Sequence, residues 1–128
     1  RLRTSSSDIT SANYTWTVDG AFRYTNNSSG NGTLTGGYAG DTEWHLHGEG
    51  GLDTDDGEGV NMIIDLINPS GSSGFKNGFC KSSFLYDSAR WYYVDSSFKY
   101  ASQSPYTGFS LYTSAGTMTG TVNLYGIK

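Results

Sequence analysis

The chain has 128 residues, one domain's worth, enough to bury a single core and not two. Its net charge of −4 would repel phosphate, which sets nucleic acid aside as a partner. No apolar run approaches the roughly 20 residues that span a bilayer as a helix, so membrane insertion is not expected, and the lone cysteine, Cys80, excludes an intrachain disulfide framework.

Ala, Glu, Lys and Leu are scarce, whereas Gly numbers 18 and Tyr 10. Aromatic and β-branched residues on a Gly/Ser/Thr background favour strands joined by turns. Residues 1–8 (RLRTSSSD) are polar and read as a linker or arm; 9–128 read as one domain, the C-terminal domain of a longer chain. Tyr14, Trp16 and Val18 share one face, and Thr15 and Thr17 the other. Asp19-Gly20 is a turn signal, and Phe22 and Tyr24 resume in register, so a hairpin is predicted here. Residues 26–32 (NNSSGNG) are a loop. Residues 33–40 are a weak strand, interrupted by Gly36-Gly37. Residues 42–47 are a better one, with Trp44 and Leu46 inward and Glu43, His45 and His47 outward. A second loop, rich in Gly and acid, covers 48–59.

Residues 60–67 (VNMIIDLI) are apolar on both faces apart from Asn61 and Asp65, the pattern of a central, most buried strand. Asn68-Pro69-Ser70-Gly71 ends it. Strands follow at 79–86 and 90–94, separated by Asp87-Ser88-Ala89, with a short one at 97–100. The chain closes with two alternating runs. Phe109 and Leu111 share a face in the first, Val122 and Leu124 in the second, and Ser114-Ala115-Gly116 supplies the turn. Nine or ten short strands and no helix predict an all-β fold, an antiparallel β-sandwich of jelly-roll type. A single sheet of that size would leave one face bare.

Glu43, His45 and His47 fall on one predicted strand face, with the imidazoles about 7 Å apart at Cα. That spacing can chelate a transition metal; solvated surface histidines are the plainer reading. Asp53, Asp55, Asp56 and Glu58 crowd the stretch DTDDGEG, which resembles the first half of a calcium loop. The later bidentate Glu is missing, and a solvated acidic loop is the plainer reading. No other cofactor is expected. Catalytic constellations are wanting too: no Gly-x-Ser-x-Gly motif occurs, and no spacing favours a carboxylate pair among Asp65, Asp87 and Asp95. Trp91, Tyr92 and Tyr93 are consecutive and cannot all point inward, so at least one is exposed or at an interface.

GTVNLYGIK at 120–128, preceded by the TGFSLY run and a short Gly-containing turn, resembles the C-terminal end of a β-sandwich domain family of tailed-bacteriophage structural proteins. These are chiefly tail fibres and receptor-binding tips, with some head fibres. Their last strand reads Gly-Thr, an apolar residue, any residue, then Leu-Tyr-Gly-Ile or Leu-Tyr-Gly-Leu. MIIDLINP at 62–69 resembles the family's central strand and its Asn-Pro turn. Lys76 and the Ser/Tyr-rich stretch 82–100 sit where the family has later strands; the first 60 residues match only in texture. The resemblance implies a virion protein made in the host's reducing cytoplasm, where a lone thiol is at home. It further implies a non-enzymatic homotrimer at a distal tip, engaging a host cell-surface receptor such as a polysaccharide. On that reading Trp91 and Tyr92 stack on sugar rings, while Asn31 and Asp53, from the loops 26–32 and 48–59, bond the hydroxyls. Two rival readings are a head fibre or capsid-decorating protein that binds other virion subunits, and a carbohydrate-binding module attached to a glycan-cleaving enzyme.

Overall fold

Even-numbered positions from Tyr14 to Tyr24 are apolar or glycine without a break in phase, so nothing in the pattern forces a turn at Asp19-Gly20. In the computed structural model, which describes residues 1–4, 7–24, 30–47, 59–87, 90–114 and 116–126, they form one strand. The side chains of Asn31 and Asp87 are outside that description. Seven strands and no helix occur among the described residues. They are β1 (Leu2–Arg3), β2 (Tyr14–Tyr24), β3 (Asn31–Asp41), β4 (Val60–Ile67), β5 (Lys76–Asp87), β6 (Arg90–Tyr100) and β7 (Gly108–Phe109). The fold is all-β and every pairing is antiparallel. Five strands form one sheet in the order β3-β2-β6-β5-β4, and β1 pairs with β7 in a two-stranded ribbon.

Seven strands rather than nine or ten result because predicted breaks are paired through. Asp19 faces Asp95 and Gly20 faces Val94, so β2 runs straight where a hairpin was expected. A Cβ on Gly20 would lie 2.4 Å from the Tyr93 carbonyl oxygen; glycine is there for close strand approach, not for a turn. The expected strands 90–94 and 97–100 are likewise one, β6, carried through Asp95 and Ser96 by its pairing with both β2 and β5. Residues 42–47 are not a strand. Trp44 stacks on Phe98 at 4.5 Å and its neighbour His45 stacks on Trp16 at 4.7 Å, so consecutive rings lie against the same sheet, which strand alternation forbids.

Even-numbered residues of β2, β5 and β6 make the inner face. Phe22, Tyr92 and Phe84 stack across three strands, with centroids 5.1 and 5.4 Å apart. Burying a ring such as Phe84 contributes about 1.5–3 kcal/mol. At the other end of the face, Tyr14 meets the edge of Tyr100 at 4.7 Å, and Tyr100 meets Tyr106 at 5.4 Å. The ribbon closes over this end. Leu2 is buried, and its backbone N–H donates to the Tyr14 hydroxyl at 2.7 Å. Burial pushes the Tyr14 phenol up to about 12, against the opposing pull of that Leu2 bond. Residues 1–4, expected in an arm, are thus packed into the domain. Lys76 is also buried, and its ammonium donates to the Gly71 carbonyl.

Two further expectations fail. β4 is an edge strand, not a central one, and Ile63 and Ile67 stand exposed on its outer side. The predicted closing hairpin is not formed. Only Gly108–Phe109 pairs, and Val122 and Leu124, expected inward, are 67 % and 80 % exposed.

Candidate functional site

The outer face of the sheet carries the odd-numbered residues, and no described element lies across it. Trp91 and Tyr93 of β6 and Phe79 of β5 are exposed there. Register decides which aromatics these are. Tyr92 pairs with Phe22 and Phe84 on the inner face, so its neighbours on both sides must point out. Tyr92, expected on the receptor surface, is therefore a core residue, whereas Trp91 is exposed, as is Tyr93, which the sequence reading did not single out. The signal was present in β6: positions 92, 94, 96, 98 and 100 read Tyr, Val, Ser, Phe, Tyr, against Trp, Tyr, Asp, Ser, Lys at 91 to 99.

Polar groups lie beside Phe79 and Tyr93. Lys81, Asp95 and Asp19 form one cross-strand row, and Phe79, Ser97 and Thr17 the next. A shallow depression of about 350 Å³ is lined by these six residues and the backbone between them. The Tyr93 hydroxyl donates to Asp95 Oδ1 at 3.1 Å, and the Thr17 and Ser97 hydroxyls bond at 2.9 Å. Cross-strand neighbours lie about 4.5–5.5 Å apart at Cβ, so apolar ring surface and both signs of charge are presented side by side. The arrangement can hold a polyhydroxylated ligand by ring stacking plus hydrogen bonds to hydroxyls. A smaller depression beside Tyr93, about 130 Å³, is lined by Asn61, Ile63, Lys81 and Ser83 among others.

The two histidines are not on a strand, and their rings pack on different partners. His45 Nε2 lies 3.3 Å from Glu43 Oε1 and 3.6 Å from Asp41 Oδ2. Asp41 in turn accepts the Trp16 indole N–H at 2.8 Å. Burial works to raise the Asp41 carboxyl, but the bonds from Trp16 and Thr42, with His45 nearby, hold it below its ordinary value. Glu43 accepts from Arg1 at 2.9 Å and from the Tyr112 hydroxyl. His47 packs edge-on against Phe84, and its Nδ1 is buried without a hydrogen-bond partner. Burial lowers its pKa, and the nearby His45 adds to that. This is a tie between the chain's start, the end of β3 and Tyr112. No group of three or more His, Cys, Asp or Glu placed to hold a metal occurs among the described residues.

Asp53, Asp55 and Glu58, named for calcium, and Asp53 and the Asn31 side chain, named for sugar, lie outside the described residues, as does most of the loops 26–32 and 48–59. Cys80 is buried between Ile64 and Ser96 on the inner face, and burial pushes its thiol up to about 12. No protein-family model, no curated protein and no solved structure matches the chain.

Proposed function

We propose that the chain is a β-sandwich domain, jelly-roll-like in its completed form, from a bacteriophage virion appendage. It works as a non-enzymatic homotrimer on a tail fibre or receptor-binding tip and holds a glycan of the host surface. The observation that carries the ligand class is the exposed set Trp91, Tyr93 and Phe79 on one open sheet face, with Lys81, Asp95 and Asp19 beside the last two. The virion setting rests on the Leu-Tyr-Gly-Ile ending and its upstream echoes. A shallow aromatic site binds sugar weakly, at about millimolar strength, and several copies on one axis raise the avidity by about 10²–10⁴. Binding of the 128-residue chain to host envelope polysaccharide tests the reading. Trp91→Ala and Tyr93→Ala should each weaken it about tenfold while costing about 1 kcal/mol of stability or less. No binding to host cells or their polysaccharides would overturn it, and the head-fibre reading would then take its place, favoured by the exposed apolar residues 118–125.

A further inference from the structure

We infer that residues 117–126 of one copy add as a strand to the free edge of β4 in a second copy. This deepens the trimer proposed above and rests on that reading only for the number of copies. Three observations meet here. First, β4 ends the sheet, so its far edge has no strand partner among the described residues. Its sequence is nevertheless that of an interior strand, apolar on both faces, and Ile63 and Ile67 are 65 % and 51 % exposed. A long apolar edge of this kind invites another strand. Second, residues 117–126 have the matching deficit. Val122 and Leu124 alternate with Thr121, Asn123 and Tyr125, yet the stretch forms no strand. No backbone hydrogen bond of the described residues reaches it. It carries no charge, so its burial strands none.

Third, the stretch follows a tie beside the opposite edge strand, β3. The last ties before the free stretch are Tyr112 on Glu43 and on Arg1, next to the end of β3. β3 and β4 are the two outermost strands, four inter-strand spacings or about 19 Å apart. A donor leaving from one side and an acceptor on the other make a head-to-tail interface, which forms a ring where its rotation closes and a filament where it does not. In the paired strand Val122 and Leu124 would lie with Met62 and Ile64 on the inner side. Asn123 would lie with Asn61, Ile63 and Asp65 on the outer side.

The test uses the full chain. Copies bearing only Asn123→Cys are mixed with copies bearing Asn61→Cys, Ile63→Cys or Asp65→Cys, under oxidation. Cys80 is buried and stays out of the reaction. Disulfide-linked pairs of copies are expected at one or more of the three positions. Light scattering should give a ring for the native chain. Leu124→Asp and, independently, Asn123→Pro should raise its dissociation constant about tenfold or more, with the unfolding midpoint of the released monomer unchanged. A ring indifferent to both variants would overturn strand donation and leave the trimer standing. A native chain that is monomeric at every concentration would overturn both, as would closure of Asn123→Cys only onto β4 of its own chain.

Discussion

His47 shows how a side chain read as surface acquires a different chemistry from its packing. Its ring lies against Phe84 and its Nδ1 has no partner, so a proton on it is disfavoured. A base whose folded pKa is lowered is stabilising above its unfolded value of 6.5, and that stability is lost as pH falls below it. Chemical denaturation at pH 7.5 and pH 5 should therefore give a smaller unfolding free energy at the lower pH. His47→Gln should flatten the difference; an equal drop in the variant would assign it to other groups. Asp41 adds a separate acid limb, because its lowered carboxyl loses stability only as pH falls below 3.8. The His47 shift is not legible from the string HLH. Alternation places both rings outward, and only the collapse of residues 42–47 onto Trp16, Phe98 and Phe84 packs them against the sheet.

Among elements, the identity of β2 to β6 as strands was legible, and their continuity and the fate of residues 42–47 and 117–126 were not. The parity of Tyr14, Trp16, Val18, Phe22 and Tyr24 marks one face correctly. Asp-Gly is a strong turn signal when the flanking strands pair only with each other. Here β6 lies alongside all of β2 and satisfies its backbone straight through the dipeptide. Position within the sheet is also beyond a local pattern, since an apolar run reads as central whether its neighbours come from the same chain or another. Glycine in these strands records close approach. A Cβ on Gly78 of β5 would fall 2.3 Å from the Asp65 carbonyl oxygen of β4 and 2.8 Å from the Phe98 ring. The first of those atoms is backbone and cannot swing aside, so Gly78→Ala should cost about 1–3 kcal/mol in equilibrium unfolding. Gly59→Ala, with nothing within 4 Å, is the control and should be near neutral.

At the scale of the molecule the sheet has two unlike faces. The inner one joins Phe22, Tyr92, Phe84 and Val94 into the core, whereas the outer one leaves Trp91, Tyr93 and Phe79 exposed. Truncations should divide accordingly. Phe84→Ala removes a ring that is 1 % exposed and should cost about 3–5 kcal/mol. Trp91→Ala removes one that is 47 % exposed and should cost about 1 kcal/mol or less. Comparable costs would mean that the outer rings serve packing, and the ligand reading would lose its footing. The aromatic wealth of the chain was visible from composition, and so was the need for some of it to face outward. Which rings do so follows from the phase of β6, which pairing on both sides fixes. The all-β class was equally visible. The closing hairpin was not delivered because its alternation describes a strand without saying where its neighbour lies.

The ribbon joining Leu2 to Phe109 makes the first strand depend on nearly the last paired residue of the described chain. Closing a loop of that length is entropically slow to be repaid. On the ribosome, at about 5–20 residues per second, Leu2 has no β7 to meet until residue 109 has emerged. The large sheet, whose β5–β6 and β2–β3 pairs are near in sequence, can assemble meanwhile. The domain's opening residues thus behave as a latch that cannot be fastened before the other end of the described chain arrives.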